Sequence, residues 1–109
     1  MMDKTEKQIM GLISSSGESR AKAFEALQKV KTHEYEAAHK MLKEAQELDI
    51  EAHNIQTAII QQELSEEEDK VTISLLMVHA QDHYMTAQLS RDLIEELIKI
   101  FEAREKMEG

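Results

Sequence analysis

Two histidines four residues apart, His79 and His83, bracket an aspartate, Asp82, in the segment VHAQDHYM (78–85). Their types and spacing allow three kinds of chemistry. At i and i+4 two imidazoles share one helix face, the spacing of a metal-binding pair. The zinc-hydrolase pattern HExxH is not met, because no glutamate follows His79, and the chain has no cysteine. A second reading is a pair of solvated histidines. It leaves unexplained the small hydroxyl residues Thr72, Thr86 and Ser90 that fall on the same seam. The third is nucleophilic. Neutral imidazole, with an ordinary pKa of about 6.5, takes up and releases a phosphoryl group through a labile nitrogen–phosphorus bond. Such a site needs donors for the phosphoryl oxygens, and His83, Thr86 and Gln81 are the local candidates, with Gln81 turned toward another edge. These few residues leave the choice open.

The element that carries them has two apolar faces. On a helical wheel with Asp82 at zero, Ile73, Met77, Ala80, Tyr84, Ala87, Ile94, Ile98 and Phe101 gather roughly opposite it, within about 60° of the far side. A second stripe, Val71, Leu75, Val78, Met85 and Leu89, surrounds Asp82 itself. One helix of a three-helix monomer buries a single face, so the second stripe predicts self-association. His79 and His83 lie about 60° and 100° from Asp82, on the seam between the two faces. Asp82 points into the second stripe, where a lone carboxylate is costly unless paired, protonated or bound to a cation. Copies meeting on a symmetry axis could not all stay ionised without a counter-cation.

Two further helices are expected to position this one. Ile9, Ile13, Gly17, Arg20, Phe24 and Leu27 step by three or four along the first, which starts at Asp3 with Glu6 three residues on. Ser14, Ser15, Ser16 and Gly17 interrupt it with small, poor helix formers, as close approach of a neighbouring helix or a polar shelf beside a site requires. After the joint KTHE (31–34), the positions Ala38, Met41, Ala45, Leu48, Ala52, Ile55 and Ile59 form a narrow, alanine-rich seam. Ser65 with Glu68 in the acidic joint ELSEEED resembles a capping box opening helix three. The expected architecture is an all-α, antiparallel three-helix bundle with helices near 4–31, 34–63 and 66–106, a single domain over 1–109.

Composition narrows the function. The chain has 109 residues, no proline or tryptophan, and 22 acidic against 13 basic side chains, for a net charge of -9. That balance argues against a phosphate-backbone binder, so no nucleic-acid partner is expected. No run approaches the roughly 20 apolar residues of a membrane span, and the opening MMDKTEKQIM is not a signal peptide. A soluble, cytoplasmic, acidic domain without membrane insertion is the expectation.

VHAQDHYMTA strongly resembles the signature of the lactose/cellobiose-type IIA components of the bacterial sugar phosphotransferase system. SGESRAKAFEAL (16–27) is similar to that family's Gly-x-Ala-Arg-Ser region, with Ser19 and Ala21 where Ala and Ser are usual. EAHNIQT (51–57) matches its Glu-Ala-His segment, and Tyr84 stands where Leu is common. The resemblance covers nearly the whole chain. It implies a homotrimer of three-helix subunits that accepts phosphate from HPr and passes it to a cysteine of a cognate IIB component. It also implies that His79 is phosphorylated on Nε2, with His83 and Gln81 in support. By the same resemblance Asp82 meets its symmetry mates on the trimer axis around a divalent cation, Mg²⁺. HPr is expected to meet an apolar rim of Leu76, Met77 and Ala80. His53 is expected to be a hydrogen-bonded structural residue, and His33 and His39 surface residues. The competing reading is a helical metal-binding or scaffold protein with His79 and His83 as ligands.

Overall fold

The computed structural model describes residues 2–65 and 73–108. They form three α-helices in sequence, α1 (Lys4–Val30), α2 (Tyr35–Leu64) and α3 (Leu75–Glu108), in a rod of 62 × 25 × 20 Å. The all-α three-helix architecture is the one the periodicity predicts. Asp3 caps α1, its carboxylate accepting from the Glu6 amide at 2.8 Å. The KTHE joint closes α1 with His33 at a φ of 60°, a left-handed position where glycine is usual. There the His33 amide donates to the Val30 carbonyl and the Glu34 amide to that of Lys29, covering two orphan carbonyls of the last turn.

Helix three begins later than expected. Residues 66–72, including Glu68, Val71 and Thr72, lie outside the described residues, but Ile73 and Ser74 are described and are not helical. Ser74 supplies the cap: its Oγ accepts from the Met77 amide at 3.2 Å and its carbonyl from the Val78 amide at 3.0 Å. Ser65 instead ends α2, its hydroxyl donating to the Gln62 carbonyl at 2.8 Å.

α1 packs against both other helices, while α2 and α3 meet more sparsely. This arrangement turns α1 by about one residue from the expected stripe. Its buried line is Ile9, Leu12, Ser16, Ser19, Ala23 and Ala26, whereas Arg20 and Phe24 are exposed and stack, guanidinium over ring, at 5.8 Å. A helix flanked on two sides buries the residues that let both neighbours come close, and those are the small ones. Ser19 adds a hydrogen bond across the gap, its Oγ donating to the Ala45 carbonyl of α2 at 2.8 Å.

The core divides in two. One cluster holds Ile9, Leu12, Ala52, Ile59, Met77, Ala80 and Tyr84; the other holds Ala23, Ala26, Ala38, Ala45, Ile94 and Ile98. Between them along the helices lies a polar waist of Ser16, Ser19, Asp49 and Arg91. Asp49 is buried and pairs with Arg91 at 3.6 Å, and Arg91 also reaches Asp92 and Glu95. The expected seams of α2 and α3 largely match the buried residues, but Ile73, just before α3, and Phe101, in its C-terminal part, are exposed.

Candidate functional site

His79, Gln81, Asp82 and His83 all project from the second and third turns of α3, immediately after its capped start. His79 is exposed and His83 partly buried. Their rings stack with centroids 5.9 Å apart and planes within 12° of parallel. Imidazole lone pairs lie in the ring plane, so two parallel rings do not converge on one ion. In this arrangement the pair does not chelate a metal. Among the described residues neither ring has a hydrogen-bond partner, and the ring nitrogens stay open for chemistry.

The floor beneath His83 is α1. A Cβ built on Gly17 would lie 3.2 Å from His83 Nε2, so the glycine makes the room in which the imidazole sits. The interruption at 14–17 therefore serves both expected purposes: Ser15 and Ser16 are buried at the helix contact, and Gly17 opens a shelf beside the histidines. Thr86, whose hydroxyl is a candidate to hold a phosphoryl group, and Ser90 on the same seam are otherwise engaged. Thr86 Oγ1 donates to the Asp82 carbonyl at 2.8 Å and Ser90 Oγ to the Thr86 carbonyl at 2.8 Å, each folded back on its own helix. Leu76 is exposed as an apolar rim requires, but Met77 and Ala80 are buried in the core and cannot contribute to one.

Gln81 lies about 160° round α3 from His79, and Gln56 of α2 holds it: Gln56 Nε2 donates to Gln81 Oε1 at 2.7 Å. One turn further along, Tyr84 is buried, and its hydroxyl meets His53 Nδ1 at 3.2 Å and accepts from Gln88 at 3.3 Å. Burial, with the nearby Asp49 charge, pushes the Tyr84 hydroxyl above its ordinary pKa, so it stays protonated. His53 thus has the structural hydrogen bond expected of it, although its own side chain is exposed. His33 and His39 are surface residues, bonded to Glu105 and Glu102.

Asp82 is exposed amid the predicted second stripe. Leu75 (85% exposed), Val78, Met85 (61%) and Leu89 (59%) are all uncovered, and Leu93, Leu97 and Ile100 continue the line toward the C-terminus. The last three fall within about 60° of the Asp82 direction, so the same wheel could have found them. Among the described residues no three His, Asp or Glu side chains gather to hold a metal, and one chain offers a cation at this place only the Asp82 carboxylate.

Residues 7–102 match the profile of the lactose/cellobiose-specific IIA subunit family of the phosphotransferase system. The chain belongs to that family. As a IIA component it is 41% identical over 100 residues to the N,N'-diacetylchitobiose-specific EIIA component of Escherichia coli, covering 92% of this chain and 84% of that one. It is 38% identical over its full length, and 97% of its relative's, to the lichenan-specific IIA component of Bacillus subtilis. Among solved structures, the cellobiose-specific enzyme IIA of Bacillus anthracis superposes with a TM-score of 0.89 at 38% identity, over 97% of this chain and 95% of that one. The E. coli chitobiose IIA, solved in complex with HPr, superposes with a TM-score of 0.80 at 38% identity, over 95% of this chain and 99% of that one. The fold and the family are those the motif resemblance implied. No helix among the described residues is long and apolar enough to cross a membrane.

Proposed function

We propose that this IIA component is a phosphocarrier, with His79 the residue that carries. The observation that supports this most is an exposed imidazole, stacked on His83 and without a hydrogen bond among the described residues, at the edge of an uncovered apolar face. The neutral ring attacks phosphorus through the Nε2 lone pair, the bond to the donor imidazole of HPr breaks, and the donor, protonated on its other ring nitrogen, leaves as neutral imidazole. His79 keeps its proton on Nδ1. The second transfer runs the same way, a cysteine thiolate of a cognate IIB component displacing the His79 nitrogen. The E. coli neighbour's complex with HPr supports this choice of donor. The relatives serve chitobiose, lactose, lichenan and cellobiose, which favours uptake and phosphorylation of a β-linked disaccharide, with the exchange on the cytoplasmic side.

The same reading makes the protein a homotrimer, joined through the bare stripe of α3. In a ring of three copies each contact is head-to-tail, so one edge of a stripe meets the opposite edge of the next. His79 and His83 lie on one edge and Gln81 on the other, which would bring a neighbour's Gln81 to each histidine pair. His83 and Gln81 then supply the donors that the engaged hydroxyls do not. The three Asp82 carboxylates would come together on the axis. Three hard oxygen donors suit Mg²⁺, which would neutralise their mutual repulsion when bound.

The test is incubation with phosphoenolpyruvate, enzyme I and HPr, reading acid-labile phosphate. One phosphate per chain is expected, and none in His79→Ala. Full labelling of His79→Ala would overturn the assignment.

A further inference from the structure

We propose that Gln56 is a positioning residue for phosphoryl transfer, acting through Gln81 on the histidine pair of a neighbouring copy; the proposal rests on the phosphocarrier and homotrimer reading above. A glutamine amide has an accepting end and a donating end on one rotatable bond, and either can face outward. A phosphoryl group carries negative oxygens, so it is stabilised by the N–H₂ end and repelled by the carbonyl. In the arrangement the structure shows, Gln56 selects one of them. By donating to Gln81 Oε1 at 2.7 Å it turns the Gln81 carbonyl inward, and the Gln81 N–H₂ has no partner among the described residues.

The hydrogen bond has rigid support. Gln56 and Gln81 are both partly buried where α2 meets α3, and the His53–Tyr84–Gln88 contacts lock the next turn of the same interface. A donor fixed before the phosphoryl group arrives requires no reorganisation during transfer. Gln56 itself touches neither histidine. Its effect reaches the reacting nitrogen only through the Gln81 amide.

The experiment measures the initial rate of phosphate transfer from phospho-HPr to the full chain for Gln56→Glu, Gln56→Leu, Gln81→Leu and the double variant Gln56→Leu/Gln81→Leu. Glutamate at position 56 has nearly the same shape but accepts where glutamine donates, so Gln81 must reverse and present its oxygen outward. Both Gln56 variants are expected to slow transfer about tenfold, while the final label stays at one phosphate per chain. The double variant should be no slower than Gln81→Leu alone, because the two residues act as one unit. Phosphorylation of the wild type should also shift the Gln81 side-chain amide resonance, and in Gln56→Glu this shift should be lost. Wild-type rates in folded Gln56 variants would overturn the proposal, as would a double variant slowed by the product of the single effects. A Gln81 amide unmoved by phosphorylation of the wild type would overturn it without any variant. Failure of the wild type to be labelled on His79 would overturn the phosphocarrier reading itself.

Discussion

Gly17→Ala separates the needs of the helix from those of the site. Gly17 lies inside α1 and has no positive φ, so its backbone does not require glycine. Alanine is the better helix former by about 1 kcal/mol. Against this stands a Cβ that would come within 3.2 Å of His83 Nε2, closer than ordinary van der Waals contact by a few tenths of an ångström. The atom it meets is the far side of a partly buried imidazole, which gives way more easily than backbone. The fold should therefore keep most of the gain, and the melting temperature should hold or rise by up to about 4–8 °C. The displaced His83 ring is stacked on His79, so the shift passes to the proposed nucleophile. Misplacement by about 1 Å costs roughly 100-fold in rate, so a few tenths should cost roughly three- to tenfold. Melting curves and the initial rate of labelling from phospho-HPr, measured on one preparation, read the two effects. A variant that labels at the wild-type rate would refute the idea that Gly17 shapes the site. A loss of more than about 1 kcal/mol would refute the expected yielding of the ring.

Other consequences follow from single contacts. Asp82→Leu should preserve or strengthen the trimer by removing like charges from its axis, and sedimentation that showed only monomers would count against the proposed packing. Ser16 is buried with its hydroxyl unpartnered among the described residues, while Ser19 bonds the Ala45 carbonyl. Ser16→Ala should consequently be more stable than Ser19→Ala by about 1–2 kcal/mol in urea midpoints, and the reverse order would contradict both assignments. The hydrogen bond from His39 at 2.6 Å holds the Glu102 carboxyl below its ordinary pKa. Its stabilising effect is complete above the unfolded-state value and disappears as pH falls through the lower folded-state one. His39→Ala should thus lower the melting temperature at neutral pH, flatten its fall below about pH 4.3, and converge on the wild type in acid.

The fold was largely legible because α2 and α3 carry their apolar residues at strict helical spacing, and Ala38, Ala45, Ala52, Ala80 and Ala87 are all buried as that spacing requires. α1 departs from its periodicity for a physical reason. Periodicity ranks positions by hydrophobicity, whereas a helix wedged between two others is oriented by size, so Ser16, Ser19 and Ala23 went inward and Phe24 outward. The start of α3 is not legible in the local sequence, because Ser65 and Ser74 both offer caps and only the fold decides between them. At the candidate site, the i, i+4 histidines and the exposed Asp82 could be placed from the wheel alone. Gln56 could not, since a bond between side chains 25 residues apart depends on how two helices are aligned.

The exposed stripe and the candidate site are coupled through the same packing choice. Placing α1 in close contact with both neighbours requires small residues at Ser16, Ser19, Ala23 and Ala26, which bury little area each. The return is that α3 keeps one face uncovered along its whole length, from Leu75 through Leu89 to Ile100. A bundle with a larger shared core would hide that face, and His79, His83 and Gln81 would lose the open edges on which they stand. Filling the small positions of α1 with leucine would therefore do more than overpack a monomer. It would push α3 away from the shelf at Gly17, unseat His83 and alter the angle at which the bare face would meet another copy in the proposed trimer.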